Sequence, residues 1–476
     1  MAKNGKGKKL TVYFSHATMM DMVYSALGLF IDDIPLRSDF RNSERKWRSS
    51  KTSCFAANLI ATLNSGCPYK YFGSKSSYDS IRGDIRDSIL KLKGCKPISI
   101  WGLFRHGKRY PSMNFGRKME DALAIRDYII SSYEKGHSSL CAQDIEDLRN
   151  WSIDEKIFSN YNHLTPEGYE ELLGIGKRFK EALPALLENL EKDSYIFRPA
   201  FGIWIENSAK AFVKGLKSRN VHIDNALSES DVMAPYLTCG KYQMDVLRNP
   251  NVFAEAEKYK ANPDYLSAKD RIQRRSGIDY ILTDTNITAL YDLCRHTWSG
   301  IKNKLSPWCA LFTKDDLQVL EYIDDLKAYY KSGYGSPKSE VFGHIPLTDL
   351  LNNFRRTKDG GKKKITAYFT HATMLEMVYT ALDLFKDSKP LSSANRERER
   401  KWRTSFMAAC AVNLVAVLNR CVDNEVSDYN VVFYLNEEPI RSICADGICT
   451  WKEFEDKLSP FLNTTIDFCE FKSEPY

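Results

Sequence analysis

No stretch of these 476 residues is long and apolar enough to cross a membrane as a helix, so no transmembrane segment is expected. Behind the basic start, Met1 to Lys9, there is no uninterrupted apolar core, and so no signal peptide is expected in the chain as it stands. Paired CxxC elements and HxxxH spacings are missing, which argues against zinc and leaves no metal or other cofactor called for. A nucleic-acid-binding motif and a coiled-coil pattern are missing too. The net charge of +7, from 68 basic and 61 acidic residues, is modest and describes an ordinary solvated surface. It leaves room for a basic pocket that takes a small anion.

What is present is core and cysteine. With 43% apolar and 27% charged residues the chain can bury a large interior, and a compact multi-layer fold is expected. Twelve cysteines recur beside turn residues, as in Ser306-Pro307-Trp308-Cys309 and Cys444-Ala445-Asp446-Gly447-Ile448-Cys449, and read as disulfides. Sequons at Asn150, Asn286 and Asn463 would fit a secreted or lumenal glycoprotein.

A search for self-similarity reorganises the reading. Residues 9 to 64 match 364 to 419 without a gap, 32 of 56 positions being identical. Tyr13-Phe14-Ser15-His16-Ala17-Thr18-Met19 answers to Tyr368-Phe369-Thr370-His371-Ala372-Thr373-Met374, and Lys46-Trp47-Arg48 to Lys401-Trp402-Arg403. Each copy reads as a strand, Leu10 to Phe14 or Ile365 to Phe369, running into an amphipathic helix. Such a piece cannot bury its own apolar face, so it belongs inside a larger sheet, and one copy is surplus. The expected organisation is a partial duplicate at 1–66 joined to a complete unit at 67–476. The join reads either as a tandem duplication or as an error of gene prediction. His16 is then expected to be redundant.

Elsewhere the layout is α/β. Pro97 to Phe104 is a buried strand emptying into Arg105-His106-Gly107-Lys108-Arg109-Tyr110-Pro111. Thr165-Pro166 starts a helix, as N-cap and first helical residue, that carries Leu172, Leu173, Phe179 and Leu183 inward. Another starts at Thr313, with Asp316 at the capping-box position, and stops before Gly333.

A strand ending in Arg-His-Gly-x-Arg sets an imidazole between two guanidinium groups. Planar guanidinium forks suit the equatorial oxygens of a transferring phosphoryl group, and an imidazole can attack phosphorus and carry it. The bland reading is a surface turn with scattered basic residues. Residues 105 to 111 resemble the RHGxRxP signature of the histidine acid phosphatases. Tyr71-Phe72-Gly73-Ser74-Lys75, Ser208-Ala209-Lys210-Ala211-Phe212, and the run from Ser306 through Trp308, Cys309, Phe312, Tyr322, Asp324, Asp325 and Tyr330 to Gly335 look like the inositol polyphosphate phosphatase branch.

The resemblance implies a histidine phosphatase fold: a large α/β domain with a mixed central sheet, and a smaller, mainly helical cap at roughly 120–165 and 205–300. It implies His106 as nucleophile, Arg105 and Arg109 as phosphate ligands, and His371 as a second catalytic and phosphate-binding histidine. It also implies an anionic small-molecule substrate, an inositol polyphosphate, and a secreted or endoplasmic-reticulum setting. Two family positions are degenerate. Thr373 stands where the family has the glutamic acid that protonates the leaving oxygen, and Trp204 where it has a third arginine. Glu376 and Arg198 are the nearest replacements in sequence, and neither is expected to serve. The alternative to a phosphomonoesterase is therefore an impaired protein that binds inositol phosphates without turnover. A relative acting on phosphoglycerates or phosphoproteins is a third reading, against which the segments after Ser306 speak. His137, His163, His222, His296 and His344 share no spacing and are expected in surface or core packing. Oligomeric state leaves no signal in the sequence.

Overall fold

The computed structural model describes residues 68–469, apart from 91, 219–220, 228–231, 299–305, 337 and 424–425. The chain divides at Gly66/Cys67, and the unit from Cys67 onward is the one described below. The first repeat copy, with His16, lies outside the described residues.

A mixed seven-stranded sheet holds the unit together, in the order β2-β3-β1-β4-β5-β6 with β7 also on β5. These are β1 (Cys95–Arg105), β2 (Tyr195–Pro199), β3 (Ile365–Thr370), β4 (Asn413–Asp423), β5 (Val426–Leu435), β6 (Glu438–Pro439) and β7 (Ile448–Thr450). The trio β2, β3 and β1 is parallel, whereas β4 and β5 return antiparallel. Strand β3 is buried along its whole length, as its unbroken apolar and threonine run requires.

Two helical layers cover the sheet. On one face Phe104 and Phe369 stack at 5.4 Å under Phe179 of α1 (Pro166–Ala182) and Phe212 of α2 (Ile203–Leu216). On the other, Trp101 packs edge-on to Tyr368 and donates to Asp349. Asp349 sits in α5 (Ser339–Lys358), beyond α3 (Asp284–His296) and α4 (Lys314–Ser332) in the chain, and α5 packs on α6 (Ala372–Ala381). Strand side chains alternate, so aromatic residues at neighbouring positions serve opposite layers.

Helix starts follow their local chemistry. The Thr165 hydroxyl accepts from Gly168 N–H with Pro166 in the first turn, and Leu172, Leu173, Phe179 and Leu183 are buried. Thr313 and Asp316 form a reciprocal capping box, and α4 ends at Ser332. Further helices occupy Met113–Asp121, Ile125–Glu134, Ala142–Asn150, Ala254–Tyr259 and Pro263–Ser276. No helix among the described residues is long and apolar enough to cross a membrane.

Among the described residues four disulfides join Cys95 to Cys421, Cys239 to Cys469, Cys294 to Cys309 and Cys444 to Cys449, whereas Cys141 and Cys410 are free. Both turn-flanked cysteine groups singled out in the sequence are bonded. The set fits an oxidising compartment.

Candidate active site

The site forms where β1 and β3 end side by side. Arg105 pairs with Thr370 in parallel register, and His106 N–H donates to the Thr370 carbonyl at 3.0 Å. His106 and His371 therefore emerge as neighbours, ring centroids 6.2 Å apart and planes at 82°. The His106 Nδ1 lies 2.7 Å from the Gly107 carbonyl. A carbonyl only accepts, so Nδ1 carries the proton and Nε2 keeps its lone pair.

Glycine at 107 has a steric cause. A side chain there would run into the backbone of Gly168, and one at Gly168 into Lys108. The loop thus lies directly on the first turn of α1. Thr165 Oγ1 donates to the Lys108 carbonyl at 3.0 Å, and Gly107 N–H donates to Ser208 Oγ on α2 at 3.2 Å.

Trp204, in the first turn of α2, closes the third side, with centroids 6.3 Å from His106 and 6.1 Å from His371. Its ring lies against Gly202, which has φ +135° and leaves the space that ring needs. The indole Nε1 is buried with no acceptor among the described residues. The Arg109 guanidinium stands 5.5 Å over that ring.

Three cations, Arg105, Arg109 and Lys331, stand near the rings, and a fourth, Lys75, stands near the arginines. Arg105 donates to the carbonyls of Ser74 and Ala408, both at 2.6 Å, and Arg109 to the Tyr110 carbonyl and Asn162 Oδ1, both at 2.9 Å. The Nε atoms of both arginines are buried without a partner among the described residues. Lys331 donates to Thr373 Oγ1 at 3.0 Å. Lys75 is near enough to Arg109 and Arg105 for their charges to act on it. Among the described residues no carboxylate pairs with Arg105, Arg109 or Lys331, whereas Asp292 is near enough to Lys75 for its charge to act.

This imbalance reads out in the titrations. Burial, then Arg105, Arg109 and His371, hold His106 well below the usual histidine range. Burial, Arg109, Arg105 and Lys331 push His371 down to about 3. Burial and the Arg109, Arg105 and Arg295 charges bring Lys75 down to about 7. Two neutral imidazoles thus face a field that only an incoming anion can balance.

The near-sequence replacements stand elsewhere. Arg198 lies on β2 with its guanidinium 5.1 Å over the Tyr368 ring. Glu376 is buried in α6, where it accepts the Ser332 hydroxyl. A cavity of about 480 Å³, lined by Lys108, Tyr110, Trp151, His296 and Trp298, opens on the other side of the loop, and neither His106 nor His371 lines it. The Lys108 ammonium is taken up there by the Trp298 carbonyl and ring. His344 stacks on Phe461, and His137 is a surface partner of Asp279.

Sequence reasoning did not assign Lys75, Lys331 or Tyr236, whose hydroxyl lies 3.3 Å from His371 Nδ1. Lys75 sat inside a quoted motif without a role. Lys331 lies in the last turn of the capped helix α4, a place that gives it no local mark. The positioning of α4 could be anticipated from charge, because Arg400 and Arg403, beside the repeated Lys401-Trp402 landmark, pair with Asp325 and Glu321.

Residues 99–436 match the model of the histidine phosphatase superfamily, branch 2. The chain belongs to this superfamily. Multiple inositol polyphosphate phosphatase 1 of Drosophila melanogaster is 29% identical over 400 residues, covering 82% of this chain and 84% of the relative. The Homo sapiens protein of that name is 24% identical, covering 77% and 81%. Among solved structures, the phytase from D. castellii superposes with a TM-score of 0.69 at 16% identity, over 88% of this chain and 92% of that one. The Bifidobacterium longum multiple inositol polyphosphate phosphatase complex with inositol hexasulfate gives 0.58 at 16%, over 83% and 99%. These likenesses confirm the histidine phosphatase fold.

Proposed function

We propose that this member of the superfamily is a phosphomonoesterase that removes phosphate from inositol polyphosphates through a phosphohistidine on His106. One observation carries the reading: two neutral imidazoles, His106 with a free Nε2, sit beside Arg105, Arg109 and Lys331, which have no carboxylate partner among the described residues. Arg105 and Arg109 hold the equatorial oxygens, and His371 donates to one of them. Nε2 attacks phosphorus, the ester oxygen leaves, and water then takes the phosphoryl group from His106.

The substrate class follows from charge and from kinship. Lys75 and Lys331 extend the positive field beyond the single phosphate that Arg105 and Arg109 can hold, as a polyphosphate needs. The named relatives are inositol polyphosphate phosphatases and phytases. A binding protein without turnover is not favoured, since the relatives are named as phosphatases and phytases. The disulfides support a secreted or lumenal setting. We also infer that residues 120–165 and 205–300 act as a helical cap, and that 1–66 is a partial duplicate of the β3–α6 segment.

The test is phosphate release from inositol hexakisphosphate by the full chain. Turnover with an acid-labile phosphoprotein, both lost in His106→Ala, is expected. Release that persists in His106→Ala would refute the mechanism.

A further inference from the structure

An alkoxide leaving from phosphorus needs a proton, and a threonine hydroxyl alone is too weak an acid to supply it. Resting on the reading above, the question is what loads Thr373. Glu376 is occupied by Ser332 in the interior of α6. The Tyr236 hydroxyl bridges Thr373 and His371, and burial pushes its ionisation far up. Lys331 remains. Its ammonium donates to Thr373 Oγ1 at 3.0 Å, has no carboxylate partner among the described residues, and is close enough to act on His371. Its helix is fixed by the buried pairs of Asp325 with Arg400 and Glu321 with Arg403.

We infer that Thr373 and Lys331 form a two-residue proton donor for the leaving oxygen, replacing a carboxylic acid by an ammonium acting through a hydroxyl. In the first step a bond forms between His106 Nε2 and phosphorus as the ester P–O bond breaks. The departing oxygen keeps the electron pair and takes the Thr373 proton, while Lys331 passes one of its own to Thr373 and becomes a neutral amine. In the second step water attacks phosphorus as the N–P bond breaks. The water proton returns through Thr373 to Lys331, inorganic phosphate leaves, and the ammonium is restored. Thr373 is the group that touches the leaving oxygen. Lys331 acts through it.

The experiment compares two substrates on the full chain. Inositol hexakisphosphate releases an alkoxide that needs a proton; 4-nitrophenyl phosphate releases a phenolate that does not. Lys331→Arg keeps the charge but gives up a proton far less readily, and Lys331→Met removes both. Expected on inositol hexakisphosphate is a loss in kcat of about 10²-fold or more for both variants, at least tenfold larger than their loss on 4-nitrophenyl phosphate. Thr373→Val should show the same substrate split. Equal losses on the two substrates, or a Lys331→Arg variant as active as the native chain, would overturn the donor and leave Lys331 a charge contact. A native chain that hydrolyses neither substrate would instead sink the phosphatase reading itself.

Discussion

The carboxyl of Glu171 accepts the backbone N–H of Lys108 at 2.9 Å, while its other oxygen accepts that of Tyr78 at 3.2 Å. One α1 side chain thus fastens the phosphate loop to the segment that carries Lys75. Glu171→Ala would leave two buried donors unmet, at about 1 to 3 kcal/mol each. Denaturant unfolding should show a loss of roughly 2 to 6 kcal/mol, with a fall in kcat as the loop loosens.

Lys75 gives the pH dependence its sign. Held at about 7 in the free protein, it is charged below that value and neutral above it. The anion site therefore loses a positive charge as pH rises through 7. For inositol hexakisphosphate, kcat/KM should decline above neutrality, while kcat, which reports the complex, declines at higher pH because the bound anion favours the ammonium. In Lys75→Met the step in kcat/KM near 7 should vanish.

Trp204 can be recharged. Its ring forms a triangle with those of His106 and His371 and contributes no charge. Trp204→Arg should raise kcat/KM by about 10²-fold, the effect of one preorganised contact to the phosphoryl group. A steady-state comparison at one pH checks it, and an unchanged value would mean that Arg105 and Arg109 already saturate the oxygens.

The Cys95–Cys421 bond ties the edges of β1 and β4 across 326 residues of chain. Replacing both cysteines by serine should cost about 2 to 5 kcal/mol in chemical unfolding while leaving KM near its native value. The bond lies at the end of β1 away from His106.

Residues 1–66 should be dispensable. Strand β3 is paired on both sides, with β1 and β2, so the slot its sequence calls for is already filled by the second copy. A chain beginning at Cys67 should fold and keep its kcat. Insoluble product from that truncation, beside a soluble full chain, would show that the first copy contributes to the fold.

Much of this architecture could be read ahead because it rests on local chemistry. Thr165 and Thr313 announce their helices through hydroxyls that cap the nearest N–H groups. The strand before His106 was legible from an apolar run ending in Arg-His-Gly, and the repeat marked the strand before His371. What escaped is tertiary. Lys331 meets Thr373 only because α4 packs beside α6, and Lys75 joins the arginines only because a short N-terminal segment folds back under the loop. Gly168 needed the path of Gly107 before its lack of a side chain meant anything. No spacing rule encodes such meetings.

Strand β1 ends at residue 105, yet its two partners begin at 365 and 413. On the ribosome, at about 5 to 20 residues per second, its inner partner β3 is completed roughly 10 to 50 seconds after β1. Throughout that interval a strand with an apolar inner half, followed directly by His106, has both edges open to pairing with other chains. Yield in a heterologous host should therefore depend on translation speed and on holding chaperones more than on the stability of the finished protein.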